Sequence, residues 1–128
     1  MIYVDSSVAL AHLLLEPGSP PTALWNGSLV SSQLLEYEVW NRMHAYGLGR
    51  SHASEAQALF IRVDLIEMTA AVLARALEPF PIRVRTLDGL HLATVDFLRT
   101  QGEPVELASY DNRLVAAARA LEIPIAAL

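Results

Sequence analysis

Asp5, Glu38, Asp88 and Asp111 stand at four points where the chain passes from a strand-like run toward a helix. In a parallel sheet such points converge along one edge, so acids distant in sequence can line one pocket. Oxygen donors of this kind suit a hard divalent cation, Mg²⁺ or Mn²⁺. An ion so held acidifies a bound water and offsets the charge building on a phosphate, which makes metal-assisted phosphodiester hydrolysis the predicted chemistry. A buried carboxylate without a cation nearby would otherwise carry a penalty of several kcal/mol.

The elements that must position these acids follow from the spacing of apolar residues. Met1 to Val4 is an apolar run of strand length ending at Asp5, and Ser6 or Ser7 can cap a helix over Val8–Leu15. Leu29-Val30 is a short second strand. Ser31 or Ser32 can cap the next helix, which runs through Tyr46 to a stop at Gly47 or Gly49. Within it Glu36 and Glu38 lie about 200° apart, so only one can face a given pocket. Glu38 shares a stripe with Leu34, Leu35 and Asn41 and is the predicted pocket residue, while pairing with Arg42 at i+4 is its other reading. Ser51 is expected to cap a helix over His52–Val63, Ile66–Met68 to be a strand, and Ala70–Leu77 a helix broken by Pro79 and Pro81. Thr86 or Asp88 can open the helix toward Arg99. Val105–Ser109 reads as a strand, Val115–Leu121 as a helix and Ile123–Ile125 as a last strand. Pro17 to Pro21 reads as a turn into a short helix through Trp25. Alternating strands and helices predict an α/β fold, a three-layer α/β/α sandwich on a parallel sheet, with residues 1–128 as one domain.

Around the acids, Ser6 and Ser109 are close enough in sequence to orient Asp5, Asp111 or a metal-bound water, and both are also plausible caps. His91, three residues past Asp88, is a candidate outer partner of the ligands, with packing as its other reading. Arg113, two residues past Asp111, is the candidate phosphate contact, with a solvated helix-face charge as its other reading. Asp96 is roughly 12 Å along the helix from Asp88 and is read as peripheral.

Together, Tyr3-Val-Asp5-Ser-Ser, Ser32-Gln-Leu-Leu-Glu-Tyr-Glu38-Val, Leu87-Asp88-Gly-Leu-His-Leu-Ala-Thr94 and Ser109-Tyr-Asp111-Asn-Arg-Leu114 resemble the PIN-domain nucleases, and among them the VapC-like toxins. The order and spacing of the acids are more specific than any single motif. Gly89 departs from a usual Ala, Gln33 from a small or apolar residue and Ser109 from a common Thr; none removes an acid. The resemblance implies a metal-dependent endoribonuclease acting on RNA, working as a homodimer and held inactive by a small antitoxin. A housekeeping RNA-processing nuclease and a non-catalytic PIN-like binding module are the alternatives.

Composition excludes several classes. With 128 residues, 53% of them hydrophobic, the chain can bury a core and still show apolar surface to a partner. Leu13, Leu14, Leu15, Trp25, Trp40 and Tyr46 are the candidate dimer or antitoxin contacts, with core packing as the other reading of each. There is no cysteine, so thiolate sites are ruled out. No apolar run has membrane-spanning length and no basic leader precedes Asp5, so a cytoplasmic location is expected. The formal charge of −5 gives weak bulk attraction for nucleic acid, and every basic residue counted in it is arginine, suited to local bidentate phosphate contacts. A receiver domain would need a lysine, and a haloacid-dehalogenase-type phosphatase a second Asp where Ser7 stands.

Overall fold

The structure is a computed structural model describing residues 1–15 and 19–128. The elements run β1 (Ile2–Val4), α1 (Ser6–Leu13), a 3-10 turn (Thr22–Asn26), β2 (Leu29–Ser32), α2 (Leu34–Ala45), α3 (Ala53–Arg62), β3 (Asp64–Ile66), α4 (Ala70–Ala76), α5 (Thr86–Thr100), β4 (Glu106–Ala108) and α6 (Asn112–Ala120). All strand pairings are parallel, in the order β3-β2-β1-β4, with Tyr3 opposite Val30 on one side and Leu107 on the other.

Side-chain alternation along the strands sends successive residues to opposite faces and so builds two cores. Val4 joins Val8, Leu35, Val39 and Met43 under α1 and α2, whereas Tyr3 joins Leu92, Val95, Leu107 and Leu114 under α5 and α6. The expected three-layer α/β/α arrangement is therefore present. From β1 the chain steps outward to β2 and β3, then crosses to β4 on β1's other side. The carboxyl ends of β1 and β4 are thus the topological switch point, where a crevice opens in sheets of this kind.

Several local expectations are corrected. The third strand is Asp64–Ile66, not Ile66–Met68, because Val63 turns extended directly after α3; the amide of Met68 bonds the Gln33 side chain instead at 2.7 Å. Ile123–Ile125 forms a single bridge, Leu107 to Ile125. Asp5, not Ser6 or Ser7, caps α1 by accepting from the Ser7 amide. Neither Thr86 nor Asp88 caps α5, whose first-turn boundary residue is Arg85, and Ser51 bonds the His52 ring and the Leu48 carbonyl without capping α3. Ser32 does bond the Leu34 amide at the start of α2, while Ser31 reaches back to the Val4 carbonyl. Helix α6 starts earlier than expected, at Asn112. The turn expected over Pro17 to Pro21 lies partly outside the described residues. At Gly89 an added Cβ would meet Val84 at 3.4 Å and Phe80 at 3.5 Å, ordinary contacts, so no steric demand explains glycine there.

Candidate active site

Strand ends and helix starts bring the four acids to one hollow of about 430 Å³, lined by Asp5, Glu38, Asp88 and Asp111 together with Ser6, Arg42, Arg85 and His91. Asp5 comes from the end of β1, Glu38 from the second turn of α2, Asp88 from the first turn of α5 and Asp111 from the cap of α6. The residues that bury α2 are Leu35, Val39 and Met43, so the stripe expected through Asn41 is displaced: Asn41 is exposed and Met43 fully buried. Glu38 still flanks that stripe on the pocket side, and Glu36 is exposed away from it.

Asp5 is almost wholly buried and held by hydroxyls and an amide. One carboxylate oxygen accepts from the Ser7 amide; the other accepts from the Ser7 hydroxyl at 3.2 Å and from the Ser109 hydroxyl. Ser109 in turn accepts from the Asp111 amide at 2.9 Å, so one serine fastens two acid-bearing loops together. Burial pushes the Asp5 carboxyl above its ordinary value despite the bonds that favour its charged form.

Asp88 and Asp111 are served differently. Arg85 reaches both, its Nε to Asp88 at 2.8 Å and its Nη2 to Asp111 at 2.5 Å. For Asp111, burial raises the carboxyl, but the amides of Leu114 and Arg113 and the Arg85 guanidinium outweigh it, leaving the group below its ordinary value. The two carboxylates hold Arg85 above its own.

Glu38 accepts from Ser6 at 3.3 Å and is bonded to His91 Nε2. On the far side of that ring, Nδ1 meets the Tyr3 hydroxyl at 2.7 Å, and Tyr3 accepts from the Ser32 amide at 3.1 Å. An ionised carboxylate can only accept, so the Nε2 proton is directed at Glu38, and in the neutral ring Nδ1 is then the acceptor for the Tyr3 hydroxyl. Burial pushes the Tyr3 hydroxyl far up, so it remains a donor.

Among the remaining candidates, Arg113 is exposed and borders a neighbouring hollow with Arg83 and Arg85, outside the lining of the acid hollow. Asp96 pairs with Arg75 at 2.8 Å and Arg99 at 3.6 Å, on the far part of α5. Sequence reasoning passed over Tyr3, Ser7, Arg42 and Arg85 as site residues. Arg85 did carry a signal, lying three residues before Asp88, the spacing of an ion pair on one helical face. Tyr3 carried none, being 88 positions from its histidine.

The donor set fits a hard divalent ion: four carboxylates line one hollow, and among the described residues the most buried is hydrogen-bonded by neutral donors only. Among the described residues no three acid or imidazole side chains are clustered tightly enough to cage an ion as they stand. Arg85 supplies the positive charge between Asp88 and Asp111, so an ion would have to draw these two carboxylates away from the guanidinium.

The chain matches the family described as PIN domain over residues 2–120. Ribonuclease VapC46 of Mycobacterium tuberculosis is 30% identical over 129 residues, covering 98% of this chain and 96% of its own length. Ribonuclease VapC35 of the same species is 27% identical over 132 residues, covering 99% and 96%. Ribonuclease VapC47 is 26% identical over 126 residues, covering 93% and 90%.

Proposed function

The chain belongs to the PIN-domain family, and from that premise we propose that it is an Mg²⁺- or Mn²⁺-dependent endoribonuclease, the toxin of a toxin–antitoxin pair. The observation that carries this reading is the convergence of Asp5, Glu38, Asp88 and Asp111, from four separate elements, on one hollow at the sheet's switch point. The relatives named as ribonucleases, similar across nearly their whole length, favour RNA as the substrate.

In this reading the four carboxylates would hold the metal. When bound, the metal supplies a water of lowered pKa and neutralises charge at the scissile phosphate. The chain's own residues do the rest. Ser7 and Ser109 fix the two oxygens of Asp5, and Ser109 ties the Asp111 loop to it. Ser6 and His91 hold Glu38 from two sides. Arg85, released from Asp88 and Asp111, is free to meet a phosphate oxygen, a role the exposed Arg113 would serve only at the periphery.

The partner surfaces are narrower than the sequence suggested. Leu13 is buried in the core under α1, and Trp25 and Trp40 pack half-buried against the same core. Leu15 and Tyr46 remain open, at 84% and 57% exposed, as the surface for a small antitoxin or a second copy in a homodimer. No described helix is long and apolar enough to cross a membrane; the cytoplasm, where RNA is met, is the proposed compartment.

The test is cleavage of RNA by the purified chain with Mg²⁺ or Mn²⁺, beside a chelator control and Asp88→Asn. Cutting that needs both the metal and Asp88 is expected, with growth arrest on expression that Asp88→Asn abolishes and the antitoxin relieves. Equal harm, or equal harmlessness, of the two proteins would remove the catalytic-toxin reading.

A further inference from the structure

A second hollow, about 620 Å³, opens beside the acid pocket and shares Asp5, Ser6, Arg42 and Asp111 with it. Leu10, Ala11 and Leu14 give it an apolar part, and its lining includes two tyrosines, Tyr46 and Tyr110. These rings are 57% and 40% exposed, in a chain that buries its other site tyrosine, Tyr3, completely. Both are mounted on fixed backbone. Tyr46 closes α2 with its amide bonded to the Arg42 carbonyl at 3.2 Å, and the Tyr110 amide is held by the Ser7 hydroxyl at 2.9 Å. Ser7 also bonds Asp5, so the Tyr110 loop and the innermost acid share one anchor.

Resting on the nuclease reading above, we propose that this hollow is a subsite for an unpaired nucleotide next to the scissile phosphate, its base stacked on Tyr46 or Tyr110 and its backbone phosphate met by Arg42. A strand cut at the acid pocket must continue on each side of it, and the shared wall makes this hollow one of the ways out. Aromatic faces beside an arginine are the recurring means of holding single strands, because every base has a face to stack and none needs to be read by its edge. A duplex keeps its bases stacked on one another and offers the tyrosines nothing. The formal charge of −5 points the same way: broad phosphate attraction is weak, so affinity has to come from local contacts such as stacking and the Arg42 guanidinium.

The expected signature is a KM effect. On a short single-stranded RNA, at least one of Tyr46→Ala and Tyr110→Ala, the one that removes the stacking face, should raise KM about ten-fold with kcat little changed. Tyr46→Phe and Tyr110→Phe should restore KM, since the ring and not the hydroxyl does the holding. Direct binding is read by anisotropy of fluorescein-labelled single-stranded RNA in Mg²⁺ with Asp88→Asn, which leaves the lining of this hollow intact. There Arg42→Gln should weaken binding and flatten its salt dependence by about 0.7 in log–log slope, one phosphate contact on a single strand, and duplex RNA should not compete. An unchanged KM in both alanine variants, or duplex binding as tight as single strand, overturns the subsite. If the alanine variants bind and cut RNA as wild type does but lose a co-expressed antitoxin, the hollow is a protein-docking surface and the proposal is wrong. Binding that depends on the tyrosines without any cleavage by wild type would leave the subsite standing and remove the nuclease reading instead.

Discussion

Asp5 and Asp111 are joined through one serine hydroxyl, yet the two ends of the acid hollow meet opposite conditions. At the inner end Asp5 is dry and, among the described residues, is hydrogen-bonded by neutral donors alone. At the outer end Asp88 and Asp111 are partly solvated and share a guanidinium. Neutral donors orient a carboxylate without cancelling its charge, whereas a guanidinium does both. The inner end is therefore the one that gains most from a metal, and the outer end the one that can persist without it.

The largest expected effect is on catalysis, where the two ends should behave alike. Asp5→Asn and Asp88→Asn change one charge and keep the shape, so both should reduce cleavage to background while circular dichroism stays native. Glu38→Gln should follow them, and Glu36→Gln, on the exposed side of α2, should cut as wild type does. Equal losses from the two glutamate variants would show that the wrong face of α2 has been assigned.

Next in size is the support behind Glu38. Tyr3→Phe removes the hydroxyl between the Ser32 amide and His91 Nδ1, leaving both without that partner in a buried place, a cost of about 1–3 kcal/mol. If the chain of bonds also aims Glu38, activity should fall about ten-fold or more, as for other outer partners of metal ligands, and the apparent Mg²⁺ affinity should fall with it. Lost stability with unchanged metal affinity would reduce Tyr3 to a packing residue.

These two cases mark what sequence could and could not convey. The acids were legible because each stands at a strand-to-helix handover, a local pattern, and the order of elements then dictates that such points converge. The α/β/α layering followed from the same alternation. Tyr3–His91 and Arg85–Asp111 depend instead on which side chains cross the crevice, fixed only once α5 and α6 are packed on β1 and β4. The third strand was misplaced for a related reason: three-residue strands carry too little alternation to set their own limits. Leu13 was assigned to the surface because a nearly continuous apolar run, Val8 to Leu15 with one histidine, has no weak face to mark the outside.

A smaller effect tests the outer end alone. Arg85→Gln should lower the melting temperature slightly in chelator, since Asp88 and Asp111 lose their shared cation, and should raise the apparent affinity for Mg²⁺, since the ion no longer displaces a resident charge. The Mg²⁺-induced rise in melting temperature should then exceed that of wild type. An unchanged or weaker response would mean that Arg85 does not compete with the metal.

The smallest effect is in the pH dependence of the metal-free protein, where the two ends should have opposite signs. The Asp5 carboxyl is raised on folding, so its contribution to stability is fully present below the unfolded value, about 3.9, and is lost as pH rises through the folded value. Asp111 is lowered; its contribution is present above the unfolded value and is lost as pH falls through the folded one. Measured as denaturation midpoints in chelator, wild type should therefore lose ground to Asp5→Asn as pH climbs from the acid range toward neutrality. Against Asp111→Asn it should gain ground as pH climbs away from the acid limit. Mg²⁺ at neutral pH should restore the stability that Asp5 gives up, because a bound cation favours the charged carboxylate, and it should do nothing of the kind in Asp5→Asn. Parallel profiles for the two variants would mean that the inner and outer acids share one environment, and the contrast between a dry end bonded by neutral donors and a guanidinium-served one would fall.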